Sequence, residues 1–264
     1  MEDDALPAGT LVAGRFRVES MLGEGGMGRV YRALDVVLER PVALKVMRAL
    51  GPVAVARFER EARVAAGLQH PSVVRVFGFG SLDEHRPFLA LEFVAGRSLQ
   101  ALLDDEGALS PLRAAHLMRP VLGALAEAHR AGVVHRDLKP ENLVLQRAAG
   151  MPDLVRLLDF GIAAVEGPEG ERLTQTGLIC GTPEYMAPEQ ALGRRVTPAA
   201  DVWAAGAVLY TLMAGQAPFS GDTAPEILVA VVKQPTPALP KTVPAALRSL
   251  VEVCLQKSPE ARPA

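Results

Sequence analysis

The chain has 264 residues, 49% of them apolar and 22% charged, with a formal net charge of −2. That composition is globular rather than disordered, and the length is enough for two packed units. The near-neutral balance lacks the basic footprint that nucleic acid demands and the polybasic anchor of a membrane surface. Its two cysteines are too few for a disulfide framework or a zinc site.

In chain order, residues 1–15 are an N-terminal extension without the basic and apolar regions of a signal peptide. With so little cysteine, a reducing, cytoplasmic location is expected, and a membrane tether outside this chain is left open. Arginine outnumbers lysine and alanine is abundant, which fits a GC-rich bacterial genome. Strands are expected at Arg15 to Leu22, Arg29 to Leu34, Val42 to Met47, Val73 to Phe79 and Phe88 to Phe93, short β-branched or aromatic runs between Gly, Pro and charged residues. One helix interrupts them from Val55 to Gly67, with Phe58, Ala62, Ala65 and Ala66 near one face.

From Ser98 the pattern turns helical, so a unit boundary is expected near Val94 to Gly96. Ser110-Pro111 reads as a helix start, a side-chain cap followed by a proline at the first helical position. Met118, Val121, Leu122, Leu125 and Ala128 follow helical spacing, Gly132 is a stop, and Pro120 should kink the run. Val202 to Gly221 carries no charge. Its densely apolar part is shorter than the roughly 20 residues that span a bilayer, so a buried helix is expected and no membrane segment.

Four segments carry chemistry. Glycines at Gly23, Gly25, Gly26 and Gly28 let backbone N–H groups approach phosphate oxygens without a Cβ in the way. Alone this is a weak signal, open to a plain glycine hairpin. It is also open to a dinucleotide fingerprint, with Glu39 as its acid, although Arg29-Val30-Tyr31-Arg32 continues as a strand and not as the helix such a site needs. Lys45, between apolar neighbours on a strand, can reach beneath that loop, and Glu61 on the next helix can hold it. His135-Arg136-Asp137-Leu138-Lys139-Pro140-Glu141-Asn142 then packs an acid, cations and an amide into eight residues after a helix stop. Phosphoryl transfer needs that mixture, to orient a hydroxyl, offset developing charge and ligate a hard cation. Asp159-Phe160-Gly161 adds a carboxylate after the apolar Leu157-Leu158.

Together with Ala187-Pro188-Glu189, these segments resemble in order and context the signature of the protein kinase superfamily. Met21 to Tyr31 and Gly181 to Gln190 are most similar to bacterial eukaryotic-like (Hanks-type) Ser/Thr kinases. The resemblance covers about Phe16 to Arg262. It implies an α+β, bilobal fold: a small antiparallel β-sheet N-lobe with one main helix (about 16–94) and a larger, mostly helical C-lobe (about 95–264), one catalytic domain over 16–264.

The resemblance also implies roles. Gly23, Gly25 and Gly28 would cover the phosphates of ATP, and Lys45, paired with Glu61, would contact them. Asp137 would take the proton of the acceptor hydroxyl, Lys139 would steady the γ-phosphate, and Asn142 and Asp159 would hold Mg2+. Leu22, Val30 and Ala43 would lie above the adenine and Val144 below it, with Leu91 limiting depth and the Glu92 and Val94 backbones at its edge. Lys139 with Thr182 marks the Ser/Thr class. Asp201 is expected on the catalytic-loop backbone, Arg262 on Glu189, and Thr174 or Thr176 as sites of activation-loop phosphorylation, because Arg136 invites an anionic partner. Cys180 is expected to be a small buried residue.

The implied partners are protein substrates with Ser or Thr acceptors, with a second copy of the chain as a candidate for autophosphorylation in trans, and no nucleic acid. The stretch from Asn142 to Asp159 is longer than the family needs, and the chain stops where the family's last helix would be incomplete. Rival readings are an ATP-binding scaffold without activity, a small-molecule phosphotransferase and, more remotely, a nicotinamide oxidoreductase. Lys45, Asp137 and Asp159 weigh against the first, and the Gly181 to Glu189 segment against the second.

Overall fold

A computed structural model of the chain describes residues 5–26, 28–83, 85–146, 153–158 and 182–264. Asp159, Thr174, Thr176 and Cys180 lie outside the described residues, and with them the expectations placed there. The chain forms two compact units. One draws on residues up to 69 and on 74–95, the other on 70–73 and the described residues from 96 onward.

The first unit is a six-stranded antiparallel sheet: β1 (Leu11–Val12), β2 (Phe16–Gly25), β3 (Gly28–Asp35), β4 (Arg40–Met47), β5 (Val76–Ser81) and β6 (Pro87–Glu92), in the order β1-β2-β3-β4-β6-β5. Strict alternation decides its faces. On β4, Val42, Leu44 and Val46 are buried while Ala43 and Lys45 between them are partly exposed. The buried set meets Phe16, Val18, Tyr31, Ala33, Phe88 and Ala90 in one core. Asp35, wholly buried at the end of β3, takes a two-pronged bond from Arg15 (2.9 and 2.7 Å) and accepts N–H groups from Val37 and Leu38. It closes the β3–β4 turn.

The helix α1 (Pro52–Ala66) begins one turn earlier than its apolar spacing suggests, because Pro52 needs no N–H partner in a first turn. Phe58, Ala62 and Ala65 are buried against β5 and β6. Ala66 is exposed, which corrects its place on that face: at 100° per residue it lies past the edge of the stripe. Strand β5 begins at Val76 and not at Val73. Val73 instead bridges Leu157 in parallel, within the second unit.

That second unit holds a three-stranded sheet, β7 (Arg97–Ser98), β8 (Leu143–Gln146) and β9 (Leu154–Leu157), with β8 in the middle. Its helices are α2 (Leu99–Glu106), α3 (Pro111–Arg130), α4 (Pro188–Ala191), α5 (Ala199–Ala214), α6 (Ala224–Lys233) and α7 (Ala245–Cys254). The Ser110 hydroxyl accepts the Arg113 N–H and caps α3. The helix runs on through Pro120, and the carbonyl that Pro120 cannot bond belongs to exposed His116. Met118, Val121, Leu125 and Ala128 are buried as spaced, but Leu122 is 46% exposed, on the helix flank.

The uncharged stretch is α5, buried along nearly its whole length, as a helix apolar on all sides must be. Left-handed Gly215 ends it. Among the described residues no helix is long and apolar enough to cross a membrane.

Candidate active site

The register of the first sheet brings Gly23, Val30, Ala43, Lys45 and Leu91 onto one face, while Glu92 pairs with Val42 on the other. Gly23 pairs with Val30 and Val30 with Lys45, so the three form a row across β2, β3 and β4, which Leu89 on β6 continues. Ala43 and its partner Leu91 form the neighbouring row. This face is the one opposite Val42, Leu44 and Val46. Lys45 and Glu61 are both partly buried. Leu22 is 49% exposed, Leu91 is buried, and the Glu92 N–H donates to Arg75 O at 2.9 Å. Val94 follows β6 and is partly exposed.

The glycines differ in what they require. A Cβ on Gly23, Gly25 or Gly26 would meet nothing within 4 Å, so packing does not demand glycine there. Gly28 is different. It pairs with Met47 of β4 at φ 151°, and a Cβ would collide with the Val46 carbonyl.

In the second unit the segment after α3 folds into a tight constellation. Leu138 is buried beneath it, and residues Pro140–Asn142 make one turn of 3-10 helix. The carboxylate of Asp137, one quarter exposed, has one oxygen clamped: Oδ2 lies 3.2 Å from Asn142 Nδ2 and 3.4 Å from Lys139 Nζ. Asn142 Nδ2 also donates to Asp137 O at 2.8 Å, and Lys139 Nζ donates to Thr182 Oγ1 at 2.8 Å. Asp137 Oδ1 and Asn142 Oδ1 have no donor among the described residues. Leu158, immediately before Asp159, donates its N–H to Asn142 O and accepts from His135 Nε2. Val144 lies on β8, 8% exposed.

The loop is held from beneath. Arg136 sits at φ 69°, a left-handed conformation costing a side-chain-bearing residue roughly 1–2 kcal/mol. Its backbone is clamped on both sides of the Cα: the N–H donates to Asp201 Oδ1 (2.8 Å) and the carbonyl accepts from Gln190 Nε2 (2.9 Å). Asp201, wholly buried, also accepts the His135 N–H (2.8 Å) and meets His129 Nε2 at 2.7 Å. Asp201 was legible in the sequence, whereas His129 and Gln190 were not singled out for this work. Gln190 had a local signal, an amide three residues past a helix-start residue, and its Oε1 does accept the Ala187 N–H. His129 had none.

Glu189 and Arg262 form a buried two-pronged pair at 2.7 and 2.8 Å, as expected. Tyr185, between the Thr182 and Glu189 ends of this segment, is buried, and desolvation first, with nearby Glu141 and Glu184 adding to it, pushes its phenol up to about 12. It stays an un-ionised prop.

The pattern of the protein kinase domain matches residues 16–264. Serine/threonine-protein kinase pkn3 of Myxococcus xanthus is 41% identical over 266 residues, 97% of this chain and 49% of that protein. Serine/threonine-protein kinase PknA of Mycobacterium tuberculosis is 38% identical over 96% of this chain and 59% of its own length. Serine/threonine-protein kinase PknL of Mycobacterium bovis is 42% identical over 81% and 53%. The chain thus spans about half to three fifths of the length of these relatives. Its α+β architecture, antiparallel sheet first and helices after, is the one the family match requires. The chain belongs to the protein kinase domain family, among its bacterial Hanks-type serine/threonine members.

Proposed function

We propose that the chain transfers the γ-phosphoryl group of ATP, with Mg2+, to Ser or Thr hydroxyls of proteins. The observation that carries this is the split environment of Asp137: one carboxylate oxygen is held by Asn142 and Lys139, and the other has no donor among the described residues. A held carboxylate with one open oxygen suits an acceptor hydroxyl. As the hydroxyl oxygen bonds to the γ-phosphorus and the bond to the ADP oxygen breaks, the proton passes to Asp137 Oδ1. Lys139 Nζ, 3.4 Å from the other carboxylate oxygen, Oδ2, and tied to Thr182, offsets charge on the transferring group. Positioning and charge supply most of the acceleration.

In the first unit, Gly23 and Gly25 leave room for phosphate oxygens, and Lys45 shares their face of the sheet, supported by Glu61. The apolar Val30, Ala43 and Leu91 beside them suit an adenine. The donor set fits a hard cation: Asn142 turns both amide protons inward, which leaves Oδ1, an oxygen, to face it, and Asp159 is the proposed second ligand. Bound Mg2+ would neutralise phosphate charge. Thr174 and Thr176 are the proposed sites of phosphorylation by a second copy of the chain.

The test is ATP-dependent phosphate incorporation with Mg2+, in wild type and Asp137→Asn, followed by mapping of modified residues. Loss of the base should lower the rate by about 10²–10⁴-fold with the fold intact. Equal incorporation by both proteins would refute the assignment. No incorporation in a folded, ATP-binding wild type would favour the scaffold reading. Mixing Asp137→Asn with wild type separates trans from cis modification of the loop.

A further inference from the structure

Helix α6 ends on a carbonyl that its own turn cannot satisfy. Gln234, just past the helix, donates its N–H to Ala230 O at 2.9 Å. The next donor in register, for Val231 O, would be residue 235, and Pro235 has no N–H. Val231 is wholly buried, so bulk water does not supply the missing bond. Lys257, 26 positions further on, does: its Nζ donates to Val231 O at 2.6 Å.

Aromatic rings hold the ammonium in that place. It lies 4.0 Å from the centre of Phe219 and 4.9 Å from that of Trp203, and the two rings stack on each other at 5.7 Å. A cation at a helix C-terminus also meets the negative end of the helix dipole. Lys257 thus pins the end of α6 to Trp203 of α5 and to Phe219 beyond it. Among the described residues the charged group beside it is Arg262, whose guanidinium lies 5.1 Å from the centre of Trp203 and is paired with Glu189 of α4. From α5 the ammonium is faced by a ring, and from α6 by a carbonyl.

The position of α6 bears on the candidate site. With Ile227, Ala230 and Val231 buried, α6 packs against α4 and against the Pro183–Tyr185 turn. That turn follows Thr182, which takes the Lys139 bond beside Asp137. A polypeptide presenting a hydroxyl to Asp137 comes next to the turn, and α6 is what the turn rests on. We propose that Lys257 is a positioning residue for the protein acceptor: by capping α6 it fixes the seat of the Pro183–Tyr185 turn and so the acceptor's approach to Asp137. The acceptor role rests on the phosphoryl-transfer reading. No residue assigned to ATP or to the metal is among the contacts of the Lys257 ammonium, so the nucleotide side of the reaction is untouched.

The experiment compares wild type, Lys257→Met and Lys257→Arg. Methionine keeps an apolar stem and removes donor and charge, whereas arginine keeps both. Hydrogen exchange of α6, followed without ATP or acceptor, reads the cap by itself. Lys257→Met should exchange the amides of residues 231–234 about tenfold faster, the size of one charge-assisted bond. Phosphate transfer to casein then gives the KM of the acceptor and of ATP separately. Lys257→Met should raise the casein KM by about three- to tenfold and leave the ATP KM unchanged, and Lys257→Arg should keep both at wild-type values. A pH series adds a third reading. Desolvation first, and Arg262 after it, bring the Lys257 ammonium down to about 8, so its charge is present below that pH and lost as the pH rises through it. The wild-type casein KM should therefore rise relative to that of Lys257→Arg between pH ~7 and ~9.

Unchanged α6 exchange in Lys257→Met would overturn the proposal whatever the kinetics show. So would faster exchange with an unchanged casein KM, or equal rises in both KM values. No transfer by a folded, ATP-binding wild type would refute the phosphoryl-transfer reading and the acceptor role with it, while the exchange result separately decides the cap.

Discussion

Removing the Asp201 carboxylate tests how the fold holds its chemistry. Asp201→Ala strands the buried N–H groups of His135 and Arg136, each now 2.8 Å from a carboxylate oxygen. An unmet buried donor costs about 1–3 kcal/mol, so the pair costs about 2–6 kcal/mol. Against a typical total of roughly 5–15 kcal/mol that is a large fraction. The chain has one cheaper escape. Arg136 can leave its left-handed conformation, recovering roughly 1–2 kcal/mol while the loop that carries Asp137 moves. The loss by urea unfolding should therefore fall in the lower half of that range, and kcat should drop with it. A double-mutant cycle with Gln190→Ala, which frees the carbonyl of the same residue, should be non-additive by about 1 kcal/mol. Strict additivity, or an Asp201→Ala protein as stable and active as wild type, would refute the claim that the Arg136 backbone is held as one clamped unit.

Other consequences are as specific. Glu189→Ala leaves the Arg262 guanidinium buried without its carboxylate and should cost about 3–5 kcal/mol in denaturant titrations; a loss under about 1 kcal/mol would contradict the pairing. Gly28→Ala should lower the melting temperature because its Cβ meets the Val46 carbonyl, whereas Gly25→Ala should leave it unchanged and raise only the KM for ATP. Equal melting shifts for the two would undo that distinction. The Arg15 hydrogen bond, before all else, holds Asp35 down to about 2, so its folded pKa lies below its unfolded value. Its stabilising effect is then present above pH ~4 and lost as pH falls through about 2. Stability of wild type and Asp35→Asn, compared across that range, should converge at the acid end; a constant gap would be the contrary result.

Local structure was readable where the cause is local. Ser110-Pro111 caps α3 because a hydroxyl and a missing N–H act within three residues. The buried and partly exposed positions of β4 alternate because neighbouring side chains on a strand point to opposite faces. Errors arose at the edges of periodic stripes. Ala66 and Leu122 fit the helical spacing yet lie on the flank, and how wide a stripe is covered depends on what packs against it. Val73 looked like strand by composition but is held in the second unit, where Arg156 donates to its carbonyl and Leu157 donates to Ser72 O.

The motifs were legible as chemistry because phosphoryl transfer restricts residue types so narrowly that order and spacing suffice to recognise the family. The sequence by itself therefore determined the fold class and the family, and it supplied the candidate residues for the site. Only the tertiary structure decided how those residues are held. The bond from Lys139 to Thr182 spans 43 positions, and that from Asp201 to Arg136 spans 65. It also decided that Gly28 serves strand packing while Gly23 and Gly25 leave open space. Propensity and periodicity act within a turn or two of the chain. Contacts across tens of residues are set by which buried faces meet, and so they become visible only once the chain has packed.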